Sequence, residues 1–168
     1  MKQLVFVRHA KSDWGSEFLH DADRCLNERG YSDAYYMSRW YKKNHKATDM
    51  IVSSTATRAL STALLFAREL EFDMNNFFLQ EKIYEAPMSR IISVIKNLDN
   101  TKNSVMLFGH NPGFTNVCNE LSADMFYEGI PTCGMVSMKF DMKNWDDLKP
   151  QSGKLDFYQF PKDFKNYN

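Results

Sequence analysis

At 168 residues the chain has room for one domain with a substantial core, and its 43% hydrophobic and 14% aromatic content excludes a disordered polar tail. The 21 basic and 21 acidic residues cancel to +0, so no whole-chain field favours nucleic acid or an anionic membrane, and any anion must be held locally. Cys25, Cys118 and Cys133 are far apart with no CxxC spacing, which argues against a metal knuckle or disulfide framework. A reducing compartment is expected. No apolar run approaches ~20 residues, so the expectation is a soluble, cytoplasmic, single-domain protein over 1–168.

Leu4 to Val7 is a continuous apolar run, the pattern of a parallel strand buried on both faces, and it ends in Arg8, His9 and Lys11. A buried strand that delivers cationic groups to its carboxyl end builds an anion site. Residues Ser12 to Arg29 form a long polar connection, in which Asp13, Asp21, Asp23 and Arg24 could reach that site or serve as solvated surface and caps. Trp14, Phe18 and Met88 could line its mouth, but side chains of this kind more often close a core.

After Gly30 a helical stripe runs through Tyr31, Ala34, Tyr35, Ser38 and Tyr41. Met50-Ile51-Val52 is a second strand. It leads through a Ser53-Ser54-Thr55 turn into a helix with Ala56, Ala59, Leu60, Ala63, Ala67 and Leu70 on one face. Arg58 sits in the first turn of that helix, against the helix dipole, a placement that makes sense if it faces a bound anion. Asn76 to Leu79 is a short third strand, and Pro87 opens a helix with Met88, Ile91, Ile92, Ile95 and Leu98. Ser104 to Phe108 is a further buried strand ending in Gly109-His110-Asn111-Pro112-Gly113, whose glycines would let backbone approach a ligand, and a helix follows with Phe114, Val117, Cys118 and Leu121. Alternation at Val136, Met138 and Phe140, then an extended run from Lys154 to Phe160, predicts an antiparallel pair at the sheet edge. The fold class is therefore α/β: a three-layer α/β/α arrangement whose central sheet is mostly parallel with an antiparallel edge.

Two histidines at equivalent strand ends, joined by two arginines, suit phosphoryl transfer. A neutral imidazole is a nucleophile toward phosphorus, and guanidiniums stabilise the equatorial oxygens. Neither His9 nor His110 sits in a recognisable metal-ligand motif, so no metal or cofactor is expected.

Arg8-His9-Ala10, Arg58 after the Ser53-Ser54 turn, and Gly109-His110 resemble the histidine phosphatase superfamily, the phosphoglycerate mutase-like fold. The blocks from Arg8 to Trp14, Arg24 with Leu26 to Gly30, Gly109 to Gly113, and Phe160-Pro161-Lys162 are similar to its SixA-like branch of phosphohistidine phosphatases. The resemblance implies that His9 is the phosphorylated nucleophile and that Arg8, Arg58 and His110 form the phosphate pocket. Lys11, Ser12, Arg24, Glu85 and Asn111 are the candidate substrate-binding residues. It also implies a hydrogen bond that orients His9 through its other ring nitrogen, with a partner the sequence does not reveal.

Ala10 stands where the superfamily signature has Gly. Many relatives carry a carboxylic acid after the third strand to protonate the leaving group, a feature the SixA branch is noted for lacking; Glu81 and Glu85 lie in that region, and Glu85 could be a general acid, although a surface carboxylate or ion-pair partner is the commoner role for such a residue. The expected substrate is a phosphohistidine-bearing protein or a small phosphorylated metabolite. A general phosphomonoesterase using Glu85, a mutase, and a phosphate-binding module with little turnover are the alternatives.

Overall fold

The structure, a computed structural model, describes residues 1–14 and 19–164. Among the described residues, six strands form one sheet: β1 (Lys2–Arg8), β2 (Met50–Ser53), β3 (Phe77–Leu79), β4 (Ser104–Gly109), β5 (Met135–Phe140) and β6 (Lys154–Gln159). Their order is β3-β2-β4-β1-β5-β6. The first four strands are mutually parallel, while β5 runs antiparallel to β1 and β6 antiparallel to β5. This is the mostly parallel sheet with an antiparallel edge that the strand patterns predict.

Strand pleating explains the layers. Leu4 and Phe6 point to one face with Leu107 and Val136, and meet helices α3 (Met88–Lys96) and α4 (Gly113–Leu121) through Ile91, Ile95, Phe114 and Val117. Val5 and Val7 point to the other face with Ile51 and Phe108, and meet α1 (Glu28–Asn44) and α2 (Thr57–Glu69) through Ala34, Met37, Ala63 and Phe66. A strand covered on both sides has no polar face to show, which is why β1 reads as an unbroken apolar run.

Several details differ from the sequence reading. Helix α1 begins at Glu28, capped by the Asn27 side chain, which accepts from the Gly30 amide at 2.9 Å, so Gly30 lies inside the helix rather than before it. Of the predicted stripe, Ala34, Ser38 and Tyr41 are buried and Tyr31 is exposed, while Gly30, Asp33 and Met37 join the buried face. Ser54 does not cap α2, whose N-cap residue Ala56 makes no side-chain bond. In β5, Met135 and Ser137 are buried as well as Val136 and Met138, because β6 takes the edge and α1 and α2 cover the second face. Gly109 and Gly113 serve packing rather than ligand approach: a Cβ on Gly109 would lie 2.5 Å from the Phe114 ring, and one on Gly113 would lie 2.7 Å from the Ala86 carbonyl.

The topology also places the site. From β1 the chain leaves through α1 on one face, and from β4 it leaves through α4 on the opposite face, although β1 and β4 are neighbours. Connections that diverge at adjacent strands open a crevice at their carboxyl ends. His9 and His110 follow those two strands.

Candidate active site

The parallel register pairs Arg8 with Gly109, so His9 and His110 emerge side by side, their ring centroids 5.2 Å apart. His9 is held at its backbone from both neighbours: its amide donates to the Gly109 carbonyl at 3.0 Å and its carbonyl accepts from the Cys133 amide at 3.1 Å. The next residue is fixed too, since the Ala10 amide donates to Thr62 Oγ1 at 3.0 Å, and Thr62 in turn donates to the Arg58 carbonyl at 2.7 Å.

The His9 ring has a defined tautomer. Nδ1 lies 2.8 Å from the Ala10 carbonyl oxygen, which can only accept, so Nδ1 carries the proton. Nε2 then presents a lone pair, and Arg58 Nε donates to it at 3.3 Å. The orienting partner that the sequence leaves unnamed is thus the main-chain carbonyl one residue on. Burial foremost, opposed by the Ala10 carbonyl and joined by the charges of Arg58, Arg8 and Arg24, lowers the His9 pKa to about 4, so the ring is neutral at physiological pH.

His110 accompanies it as a second neutral ring. Burial first, then His9 and Arg58, push its pKa down to about 3. Its Nε2 is 2.8 Å from Ser54 Oγ, which gives the Ser53-Ser54 turn its role: it positions His110 rather than capping α2. His110 Nδ1 is buried with no hydrogen-bond partner among the described residues, and so is Arg8 Nε, although Arg8 Nη1 donates to the Ile130 carbonyl at 2.8 Å. Buried polar atoms left unpaired inside a cationic cavity are groups available to a ligand.

The cavity around these groups measures about 230 Å³ and is lined by Arg8, His9, Lys11, Ser12, Trp14, Arg24, Arg58, His110, Asn111 and Thr132. All four residues expected to carry catalysis meet there. Of the five expected to bind substrate, Lys11, Ser12, Arg24 and Asn111 line it and Glu85 does not. Glu85 is exposed on the turn after Tyr84, and Glu81 is also exposed outside this cavity. Two of the lining residues are committed to the protein itself. Asn111 Nδ2 donates to the Ile130 carbonyl while its Oδ1 accepts from Thr115, and Arg24 donates to the Asp13 carbonyl, Ser12 Oγ and Asp21 Oδ1. Trp14 is 84% exposed with the Arg24 guanidinium 4.7 Å above its ring, so it stands at the mouth instead of closing the core. Met88 packs against the core, and Phe18 lies outside the described residues.

Sequence reasoning missed Ser54, Thr62, Tyr84 and Thr132. These are ordinary polar residues whose roles depend on which strand ends converge, and no local pattern marks them. Asp21 was foreseen only as one of several loop acids. Its carboxylate accepts from Arg58 Nη2 at 2.8 Å and from Tyr84 Oη at 2.9 Å, and although partial burial acts in the opposite direction, these bonds and that from Arg24 hold its pKa down to about 2.

Residues 4–89 match the family model described as histidine phosphatase superfamily (branch 1), a little over half the chain. The chain belongs to the histidine phosphatase superfamily. An uncharacterized Mycobacterium tuberculosis protein is 26% identical over 165 residues, covering 93% of this chain and 100% of that protein. A protein assigned as the phosphohistidine phosphatase SixA of Agrobacterium tumefaciens is 25% identical, with a TM-score of 0.80 over 95% of this chain and 98% of that one. The protein histidine phosphatase SixA complexed with tungstate has the same fold, with a TM-score of 0.81 at 17% identity over 96% of this chain and 98% of the other. This histidine phosphatase is of the SixA type in architecture, a phosphatase-family hydrolase. Among its described residues no helix is long and apolar enough to cross a membrane, and no group of three or more His, Cys, Asp and Glu is placed to hold a metal ion.

Proposed function

We propose that the protein hydrolyses phosphoramidates, the phosphohistidine of a protein above all, through a covalent intermediate on His9. The observation that carries this reading is the His9 ring itself: protonated at Nδ1, which donates to the Ala10 carbonyl, with its Nε2 lone pair turned to Arg58 Nε, and neutral in a cavity with two guanidiniums. Nε2 attacks phosphorus and the bond from phosphorus to the leaving nitrogen breaks. The leaving imidazole takes its proton from solvent. Arg8 and Arg58, with His110, hold the equatorial oxygens through both transfers, and water then attacks phosphorus to release phosphate and restore the neutral ring. The charges that a metal would otherwise supply are provided by the guanidiniums.

The nature of the leaving group follows from the acids. Among the described residues no carboxyl group lines the cavity, Glu85 is exposed outside it, and Asp21 is kept ionised by Arg58, Tyr84 and Arg24. An alkoxide leaving group needs a proton donor from the protein; a phosphoramidate nitrogen, basic and joined to phosphorus by a labile bond, needs only a proton from solvent. A small phosphorylated metabolite with a comparably good leaving group would satisfy the same site.

The test is single-turnover hydrolysis of a phosphohistidine-bearing protein and of a phosphate monoester, with wild type and His9→Ala, in the presence of a chelator. Chelator-resistant turnover that prefers phosphohistidine and is absent from the variant is expected. Equal or faster monoester hydrolysis would instead favour a general phosphomonoesterase with Glu85 as acid. Phosphate binding without turnover would leave a binding module, and activity surviving in His9→Ala would refute the mechanism.

A further inference from the structure

Asp21 lies outside the cavity wall, in the short 3₁₀ turn Asp21–Asp23, yet it grips the guanidinium that faces the nucleophile. Arg58 Nη1 donates to the Asp21 main-chain oxygen at 2.6 Å and Nη2 to Oδ2 at 2.8 Å. Those two nitrogens form the outer end of the guanidinium fork. The edge that remains is made by Nε and the second hydrogen of Nη2, and Nε is the atom 3.3 Å from His9 Nε2. Docking the outer end therefore decides which edge of the fork meets the phosphorus position.

Three features separate this contact from an ordinary surface ion pair. The Arg58 side chain is only 7% exposed, and its partner is 37 residues away in sequence. The Asp21 carboxylate, itself 42% exposed, is also held by Tyr84 Oη at 2.9 Å, from a distant part of the chain, and by Arg24 Nη1 at 3.1 Å from the end of its own turn. Finally, a carboxylate beside a phosphate pocket repels the ligand, so its presence there has to be offset by what it arranges.

We propose that Asp21 is a positioning residue which, by occupying the outer end of the Arg58 fork, directs the Nε and Nη2 edge at the phosphoryl group beside His9. Its effect on turnover rests on the phosphatase reading above; its effect on the Arg58 and His9 geometry does not. Removing the clamp frees a long side chain to sample other rotamers, and each excursion takes a donor away from phosphate and a positive charge away from His9.

The experiment compares wild type, Asp21→Asn and Asp21→Ala by calorimetric titration with inorganic phosphate and by ¹⁵N NMR titration of the histidine rings, with thermal melts to establish folding. Asp21→Ala is expected to bind phosphate ~10-fold more weakly, the order of loss for a charge-assisted bond, and Asp21→Asn less so, since its amide oxygen keeps one acceptor. The His9 titration should move up in Asp21→Ala, which a merely structural role would not produce in a protein with a native melt. Tighter phosphate binding by the variants would overturn the proposal and make Asp21 an internal competitor for the anion. Unchanged phosphate affinity and an unmoved His9 would reduce the contact to a surface ion pair. Should Asp21→Ala not fold, Asp21→Asn carries the same readouts. A wild type that binds phosphate but hydrolyses neither phosphohistidine nor a phosphate monoester would sink the phosphatase reading while leaving the Asp21 result intact.

Discussion

Gly30→Ala is the substitution that most directly tests how α1 and the active-site strand are joined. Within a helix, Ala is favoured over Gly by about 1 kcal/mol, so on propensity alone the change would stabilise the protein. The structure reverses that sign. A Cβ at position 30 would lie 2.0 Å from the Lys11 carbonyl oxygen and 3.0 Å from its carbon, and the obstacle is backbone, which has no rotamer to escape into. Relief requires moving the start of α1 by more than 1 Å, and the bond from the Asn27 amide to the same Lys11 oxygen, now 3.1 Å, goes with it. Overpacking of this kind costs about 1–3 kcal/mol and the lost hydrogen bond about another 1, so a net destabilisation of about 2 kcal/mol is expected after the propensity gain. Urea unfolding of the two proteins measures it. Because Lys11 and Ser12 line the cavity and Ser12 bridges to Leu26 just before α1, phosphate affinity should fall as well. A variant as stable as wild type or more so, with unchanged phosphate binding, would refute the reasoning.

Two pH predictions run in opposite directions. The unfolded chain protonates His9 near pH ~6.5 and the folded one near 4, so stability should fall as pH drops through that window, by about 3 kcal/mol for this group. The acid limb of kcat/KM should lie near pH 4 for the same reason, and a limb centred near ~6.5 would contradict the neutral buried ring. Asp33 is fully buried, neither carboxylate oxygen has a hydrogen-bond partner among the described residues, and burial raises its pKa to about 6 against the pull of Arg29, 3.7 Å away. The folded state therefore holds that proton longer than the unfolded one, and stability contributed by protonation is lost as pH rises from 3.8 to about 6. Asp33→Asn should consequently stabilise by about 1–3 kcal/mol at pH ~8 and by nearly nothing at pH ~4 in urea titrations, whereas an equal effect at both would mean the charge is not the cost.

What the chain determines locally was readable in advance. Val, Leu and Phe runs ending in Arg8-His9 and Gly109-His110 mark both the parallel strands and the candidate site residues at their ends, because a strand buried on two faces must be apolar until it reaches the surface where ligands bind. Arg58 was legible for the complementary reason, as a cation at the end of a helix that disfavours cations. Local pattern misled where packing intervened. The stripe read for α1 held at Ala34, Ser38 and Tyr41, but Tyr31 is exposed, and Gly30, which packs on the Lys11 backbone, and Met37 belong to the buried face. Gly109 and Gly113 looked like ligand-facing backbone and are instead clearances for Phe114 and Ala86.

The sequence by itself determined which side chains stand as candidates for phosphoryl chemistry. Only the tertiary structure decided their states: the tautomer of His9, set by the Ala10 carbonyl; the contact of Ser54 with His110; and the grip of Asp21 on Arg58 across 37 residues. Composition and periodicity report on burial, which is averaged over many residues. A hydrogen bond depends on a few tenths of an ångström between two atoms, and that distance exists only after the strands have paired.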